Sequence, residues 1–98
     1  MAKGYWLTVY RSISNPDALA AYAKLAAPAL SAAGGRFLAR GMPSKIMEQG
    51  LMQRTVLIEF PSVEAAVTAY NSPGYKQALE ALGKGSAERD MRIIEGLE

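Results

Sequence analysis

The order in which segment patterns follow one another is the feature that most restricts how these 98 residues can fold. Stretches rich in aromatic and β-branched residues, which are typical of strands, cover residues 3–11, 36–41, 54–60 and 88–95. Helical periodicity fills the gap before the second stretch and the gap before the fourth. This β-α-β-β-α-β order predicts an α+β ferredoxin-like fold. Right-handed crossovers then place strands one and three centrally in a four-stranded antiparallel sheet, with two helices on one face.

Capping residues predict where the helices begin and end. Asn15 is a favoured N-cap and Pro16 a favoured first helical residue, so the first helix begins there. Pro28 falls inside its pattern, and we expect a kink or a break into two short helices. The second helical region follows Ser62 and is interrupted at residues 71–74, where Ser72 can cap a continuation.

Composition excludes several classes of chemistry. The chain has no cysteine and no histidine, so thiolate nucleophiles, histidine acid–base catalysis and the common zinc, copper and haem ligands are missing. We therefore predict no metal and no cofactor. Eleven basic and nine acidic residues are interspersed, which disfavours a nucleic-acid partner. No apolar segment has the length of a membrane span or the form of a secretory signal. We expect one domain over residues 1–98, in the cytoplasm, with no membrane partner.

Alternation along the strands predicts which side chains the helices cover. We expect the helices to cover three sets: Tyr5, Leu7 and Val9; Phe37 and Ala39; and Val56, Ile58 and Phe60. The uncovered face would then mix charged groups with large apolar side chains, namely Trp6, Tyr10, Leu38, Leu57 and Ile94. Such a face measures about 350 Å², whereas a stable interface needs about 800 Å² per partner. Two copies joined sheet to sheet, with the arm at residues 45–53 added, would reach that area, so we predict a homodimer. The alternative is a hydrated sheet face with scattered apolar residues.

Glu59 is the one acid in an otherwise apolar third strand. The same alternation places it on the face of Arg36 and Arg40 in the neighbouring strand. A catalytic base needs a raised pKa, and a nearby arginine lowers the pKa of a carboxyl group. The sequence therefore favours a structural ion pair of Glu59 with Arg36 or Arg40 over a catalytic role.

Topology also gathers polar residues at one end of the sheet, where strands one and two end and strands three and four begin. Arginines 11, 40, 54 and 89 fall there, and we expect them to surround the helix interruption at residues 70–75. Arginine binds carboxylates through two parallel hydrogen bonds, and a helix start favours anions. We predict that a small carboxylate or carbonyl compound binds at this end of the sheet. The predicted site residues are Arg40, Tyr70, Asn71, Tyr75 and Arg89. The alternative is a solvated arginine rim beside a structural helix cap.

Several motifs together resemble those of one family, the small bacterial "domain of unknown function thirteen-thirty" proteins of the dimeric α/β-barrel superfamily. The motifs are Gly4-Tyr5-Trp6, the segments 33–41 and 56–62, Tyr70-Asn71-Ser72-Pro73-Gly74-Tyr75, the segment 87–90 and Glu95-Gly96. The resemblance covers nearly the whole chain. It implies the ferredoxin-like fold and a dimer with its sheets back to back, and it implies no reaction. Superfamily relatives include cofactor-free monooxygenases and haem-degrading enzymes, whose functional residues have no match here.

Three functional hypotheses remain open at this point. The first is a dimeric domain that binds a small carboxylate or carbonyl compound without catalysis. The second is a cofactor-independent enzyme of the isomerase or monooxygenase type, in which Tyr, Asp, Glu or Lys would move protons. The third is a purely structural assembly module, which would have no cavity between the helices and the sheet.

Overall fold

The computed structural model describes residues 2–97 and has seven elements in chain order. They are β1 (Gly4–Ile13), α1 (Pro16–Ala32), β2 (Arg36–Gly41), β3 (Thr55–Phe60), α2 (Val63–Tyr70), α3 (Pro73–Leu82) and β4 (Ala87–Glu95). The sheet order is β2-β3-β1-β4, and every neighbouring pair is antiparallel. The predicted ferredoxin-like fold is confirmed, with β1 and β3 central. Its second helical region consists of two helices, α2 and α3.

Side-chain caps hold all three helix starts. Asn15 accepts a hydrogen bond from the backbone N–H of Ala18 at 3.1 Å, and Ser62 accepts one from Ala65 at 3.0 Å. Ser72 accepts from the N–H of Tyr75 at 3.3 Å and donates to the carbonyl of Ala69 at 2.7 Å. The three bonds from backbone N–H groups satisfy donors that a first helical turn leaves free, and the bond to Ala69 satisfies a carbonyl at the end of α2. Ser72 therefore joins the end of α2 to the start of α3 in a fixed bend.

Helix α1 continues through Pro28, so the predicted break into two helices is wrong. Pro28 lies on the exposed side of the helix, where water can bond the carbonyl of Lys24 that the proline ring leaves free. Buried residues on both sides of the proline, Ala26 and Leu30, hold the two parts of the helix in place. Packing of this face outweighs the loss of one backbone hydrogen bond.

The side chains of β1 lie on the opposite faces of the sheet to those predicted. Trp6, Thr8 and Tyr10 are covered by the helices, while Tyr5, Leu7 and Val9 lie on the other face. Trp6 is opposite Ile58 of β3 and Ile93 of β4, and it stacks on Phe60 with ring centres 5.9 Å apart. Gly4 shares this parity because α2 begins directly above it, and a Cβ there would lie 2.5 Å from the carbonyl oxygen of Ser62.

An irregularity in β2 likewise moves two side chains to the face opposite to the predicted one. Phe37 lies opposite Ile58 as predicted, but the pairing shifts between Phe37 and Ala39. Leu38 is the extra residue of a β-bulge, and a bulge changes the face on which later side chains lie. Ala39 is consequently on the uncovered face, and Arg40 pairs with Val56 on the helix-covered side. The predicted placement of both residues is wrong for this reason.

The uncovered face of the sheet is mixed apolar and charged. Its apolar members include Leu7, Leu57 and the exposed Ile94, and Asp90 contacts Arg11 at 3.5 Å and Arg92 at 3.1 Å. The segment between β2 and β3 adds exposed apolar residues and forms no strand at residues 45–48. Its exposed apolar residues are Met42, Ile46, Met47, Leu51 and Met52.

Glu59 lies on this uncovered face with partners that differ from the predicted ones. Its carboxylate contacts Lys3 Nζ at 3.2 Å and accepts a hydrogen bond from the Tyr5 hydroxyl at 3.3 Å. Arg40 lies on the opposite side of the sheet, so the predicted pair with Arg40 is wrong. Arg36 is directly opposite Glu59 in the strand pairing, but the ion pair forms with Lys3.

No helix within residues 2–97 is both long and apolar enough to cross a membrane.

Replacing Pro28 with alanine should stabilise the protein. The change restores the hydrogen bond to the Lys24 carbonyl, and proline costs roughly 3 kcal/mol relative to alanine inside a helix. The alanine variant has a more flexible unfolded chain, which reduces this gain in stability by about 1 kcal/mol. We expect urea unfolding to show an increase of about 1–2 kcal/mol in the free energy of unfolding. A decrease would mean that α1 requires the proline, and Ala32→Gly should act in the opposite direction as a check on the assay.

Candidate functional site

A narrow cleft lies between α1 and the helix-covered side of β1, β2 and β3. About 30 Å³ of it is open to the centre of a water molecule, and its empty space including the mouth is about 370 Å³. The enclosed part holds roughly two water molecules, so a larger ligand must be thin and extend into the mouth. The lining residues are Trp6, Thr8, Tyr10, Tyr22, Ala23, Ala26, Ala27, Leu30, Phe37, Arg40, Arg54, Val56 and Ile58.

The sequence of α1 creates this space. The helix presents Ala23, Ala26 and Ala27 to the cleft, and these side chains are too short to fill the gap above the sheet. Tyr22 and Leu30 are larger and close the cleft along the helix. The cavity contradicts one expectation of the assembly-module hypothesis, which was a filled space between helices and sheet.

The floor of the cleft contains a buried polar pair on β1. Trp6 Nε1 donates to Thr8 Oγ1 at 2.7 Å, and the two residues are 1% and 3% exposed. The bond satisfies the indole N–H, which would be costly to bury alone. It uses the threonine oxygen as an acceptor, so the hydroxyl hydrogen of Thr8 remains available to a molecule in the cleft.

Two tyrosines and an arginine form a buried cluster behind one wall. The hydroxyl oxygens of Tyr22 and Tyr75 are 2.6 Å apart, and Arg89 Nη1 donates to them at 3.0 and 3.3 Å respectively. The Arg89 guanidinium also lies 5.0 Å from the ring centre of Tyr22 and 5.8 Å from that of Tyr10. Tyr22 lines the cleft, whereas Tyr75 is fully buried behind it.

Burial changes the acidity of this cluster. Desolvation raises the pKa of Tyr22 well above its ordinary value of 10.0, and the adjacent Tyr75 raises it further. Desolvation also raises the pKa of Tyr75, although its hydrogen-bond contacts with Tyr22 and Arg89 and the positive charge of Arg89 offset part of the change. Burial opposes the charge on Arg89, but the two tyrosine oxygens outweigh it and raise the pKa of Arg89. Both tyrosines are therefore neutral donors and Arg89 is charged at neutral pH.

Two arginines stand at the mouth of the cleft. The β2 bulge turns Arg40 to this side, where its guanidinium lies 5.0 Å from the ring centre of Phe37. Arg54 precedes β3, and its Nε is buried without a hydrogen-bond partner among residues 2–97. A buried donor of this kind normally has a partner, because leaving it unpaired costs about 1–3 kcal/mol. The missing partner shows that Arg54, a residue of the cleft lining, has incomplete hydrogen bonding within the described residues.

The structure brings together only part of the predicted ligand site. Tyr75 and Arg89 are in contact, and Arg40 lies on the other side of the Tyr22 wall. Tyr70 packs on Trp6 and Tyr75 at ring distances of 5.8 and 5.2 Å, which fills the space predicted for a pocket beside it. Asn71 is exposed and donates to the Val67 carbonyl, so it acts as a helix cap.

The sequence interpretation missed most of the cleft. Alternation predicts Trp6 and Tyr10 on the uncovered face, and Tyr22 is not among the predicted site residues. One usable signal was Tyr22 itself, since it is the only residue with a polar group among the alanines and leucines of that face. A second signal was Gly4. It lies two residues from Trp6 in the strand, so a glycine that faces the helices places Trp6 on the same face.

The cleft is a set of hydrogen-bond donors without a carboxylate. Thr8, Tyr22, Arg40 and Arg54 supply hydroxyl and guanidinium donors, and the lining includes no Asp or Glu to act as a base. No cluster of three or more acidic residues within residues 2–97 is arranged to hold a metal ion. The arrangement can bind oxygen acceptors and stabilise negative charge on them, but it cannot itself abstract a proton at neutral pH.

The buried tyrosines predict how stability depends on alkaline pH. Above pH 10.0 the hydroxyls of the unfolded chain lose protons, whereas Tyr22 and Tyr75 in the folded chain keep theirs. The unfolded state then binds fewer protons, so stability falls as pH rises, by about 1.4 kcal/mol per pH unit for each tyrosine. Urea unfolding between pH 8 and 11.5 should show this slope, and Tyr22→Phe should reduce it. Ionisation of all five tyrosines in the folded protein near pH 10, followed by absorbance at 295 nm, would contradict it.

Several solved structures have a fold similar to that of this chain, and their descriptions differ from one another. RPA0582, a protein of unknown function from Rhodopseudomonas palustris, is 22% identical with a TM-score of 0.70, over 96% of this chain and 80% of that one. A Caulobacter crescentus protein described as a candidate antibiotic biosynthesis monooxygenase is 20% identical with a TM-score of 0.61, over 99% and 91% of the two chains. SnoaB, a cofactor-independent oxygenase from Streptomyces nogalater, is 13% identical with a TM-score of 0.58, over 99% and 93%. These similarities show the fold alone.

Comparison of sequences gives the family. A search of curated proteins finds no match. The family model described as "Domain of unknown function (DUF1330)" matches residues 3–97, which confirms the resemblance seen in the sequence motifs. The chain belongs to the DUF1330 family.

Proposed function

We propose that this protein binds a small carboxylate or carbonyl compound in the cleft between α1 and the sheet. The observation that carries the proposal is the buried Nε of Arg54, a charged donor without a partner among the described residues, in the lining of a cavity. Small-molecule sites are typically apolar with a few convergent polar groups, and this lining follows that pattern. Its apolar walls come from Phe37, Val56, Ile58 and the alanines of α1.

Electrostatics support an anionic ligand. Arg54 and Arg40 both carry a positive charge at the cleft mouth, and no lining side chain neutralises them. By contrast, Arg11 and Arg92 on the uncovered face share Asp90, so their charges are compensated within the chain. Hydrogen bonds from guanidinium to carboxylate are roughly twice as strong as neutral ones, which favours a carboxylate at the mouth.

Replacing Arg54 with methionine should weaken binding of a linear carboxylate such as pentanoate. A hydrogen bond to a charged group contributes about 1.5–3 kcal/mol, which corresponds to a roughly 10- to 100-fold increase in Kd. The measurement is a chemical-shift titration of backbone amides with sodium pentanoate at constant ionic strength. Arg92→Met is the matched control, because Arg92 lies on the uncovered face, and it should leave Kd unchanged.

A second variant separates the cleft from other anion sites. Ala27→Leu extends a side chain into the cleft from α1 while leaving every arginine in place. Loss of pentanoate binding in this variant supports the cleft as the site. Unchanged binding in both Ala27→Leu and Arg54→Met would place the ligand elsewhere and contradict the proposal.

A cofactor-independent oxygenase of small carbonyl compounds is the second candidate function. Two observations favour it: the fold is shared with SnoaB, and the donors of the cleft would stabilise an enolate oxygen. Because the lining lacks a carboxylate base, the substrate would have to ionise in water without help from the protein. Oxygen consumption with readily enolised diketones tests this candidate, and a rate unchanged by Ala27→Leu would rule the cleft out as its site.

The uncovered sheet face supports assembly into a homodimer. Leu7, Leu57 and Ile94 lie there beside paired charges, and the segment at 42–52 extends the apolar surface with three methionines and two aliphatic residues. The sheet alone supplies about half the area that a stable interface needs per partner. The exposed apolar residues of the segment at 42–52 add to this area, and we propose that a second copy of the chain covers the face.

Light scattering after size exclusion should give about twice the 10.5 kDa mass of the chain. Leu57→Glu places a charge in the centre of the proposed interface and should produce a monomer. Val67→Glu is the matched control on exposed α2, and it should leave the dimer intact. A wild-type monomer at micromolar concentration would contradict the dimer.

A further inference from the structure

The buried tyrosine pair has one more hydroxyl hydrogen than its mutual contact uses. This decides what can bind in the deep end of the cleft, which is the part lined by Thr8 and Tyr22. Tyr22 and Tyr75 have one hydroxyl hydrogen each, and their 2.6 Å contact uses only one of them. Arg89 donates to both oxygens and accepts nothing. One hydroxyl hydrogen therefore has no acceptor within the cluster.

The position of the two residues indicates which hydrogen is free. Tyr75 is fully buried and does not line the cleft, so a free hydrogen on Tyr75 would be an unsatisfied buried donor. Tyr22 does line the cleft, where a ligand or water can accept its hydrogen. The favoured arrangement has Tyr75 donating to Tyr22, and Tyr22 donating into the cleft.

In this arrangement Tyr22 acts only as a donor towards the cleft. Its two lone pairs are occupied by the hydrogens of Tyr75 and Arg89, so no acceptor remains. Thr8 also has a free hydrogen, because its contact with Trp6 Nε1 uses one lone pair of its oxygen and leaves the hydroxyl hydrogen available. The deep end thus offers two neutral donors, which suits an uncharged carbonyl oxygen.

The mouth and the deep end therefore differ in charge. Arg40 is exposed and Arg54 half-buried, whereas Thr8 and Tyr22 are 3% and 8% exposed. A carboxylate fits the guanidinium groups at the mouth, and a neutral oxygen fits the hydroxyl groups deeper inside. The alanine face of α1 and the side chains of Val56 and Ile58 line the cleft with apolar surface suited to a hydrocarbon spacer.

We infer that the ligand is an oxo acid, with its carboxylate at Arg54 and its carbonyl oxygen bound by Tyr22, and that Tyr22 is the residue that selects for the carbonyl. This inference rests on the proposed function, because it uses the same cleft and the same carboxylate anchor. Tyr75 and Arg89 occupy the lone pairs of Tyr22, so its hydrogen is the group left for the ligand.

The test compares unbranched oxo acids with the same acids lacking the carbonyl. Levulinate is measured against pentanoate, and further pairs place the carbonyl three to five carbons from the carboxylate. Titrations followed by backbone amide shifts give Kd for each member. One neutral hydrogen bond corresponds to roughly threefold to tenfold in Kd, so one oxo acid of the series should bind tighter than its counterpart by that factor.

Two variants that each remove one buried hydroxyl separate selection from structural effects. Tyr22→Phe should abolish the preference for the oxo acid while retaining the affinity for the simple acid. Tyr75→Phe should keep the preference, because Tyr22 still has its hydrogen. A matched amide-shift pattern in the two ligand-free variants verifies that both are folded.

The outcomes are distinct. If oxo and simple acids bind equally and Tyr22→Phe changes neither, the inference is overturned while the carboxylate site stands. If Tyr75→Phe abolishes the preference and Tyr22→Phe does not, the roles of the two tyrosines are reversed and the inference is again overturned. If no acid of either kind binds, the proposed function fails and the inference with it.

Discussion

Burial of Trp6 beneath the helices is the interaction on which the rest of the structure depends. The indole stacks on Phe60 and meets Tyr75 edge to face at 5.2 Å, so it joins the sheet to α3. Because strand side chains alternate, this one placement also turns Thr8 and Tyr10 towards the helices. The same placement puts Tyr5 on the other face, beside Glu59. Both the donors of the cleft floor and the composition of the uncovered face follow from the position of one tryptophan.

Two local departures from regular structure complete the cleft. The β2 bulge moves Arg40 from the uncovered face to the cleft mouth, and the alanines of α1 leave a gap above the sheet. Polar groups buried along this gap are satisfied by each other up to a point: Trp6 by Thr8, and Tyr75 by Tyr22. Thr8 and, in the proposed arrangement, Tyr22 each keep a hydroxyl hydrogen for the cleft. These free donors favour a ligand that supplies oxygen lone pairs.

The sequence was sufficient for the fold because segment order and capping residues are local signals. Ser62, Ser72 and Asn15 cap the three helices as predicted, and the strands lie within two residues of their expected ends. The candidate site was less predictable because it depends on which face of the sheet each strand residue occupies. In β1, both alternating sets of residues contain large apolar side chains. A shift of one residue exchanges the two faces completely. Nothing in the sequence 36–41 indicates the bulge at Leu38, so Arg40 was predicted on the face of Glu59 rather than on the helix-covered side of the sheet.

The central claim is that Arg54 holds an unpaired donor for a ligand oxygen inside the cleft. It is tested most directly by the nitrogen–hydrogen resonances of the arginine Nε groups, recorded during a titration with sodium pentanoate. The Arg54 Nε–H signal should shift to low field with the same Kd as the backbone amides around the cleft, while Arg92, already bonded to Asp90, should not move. An Arg54 signal that stays unchanged at saturating pentanoate would contradict the claim.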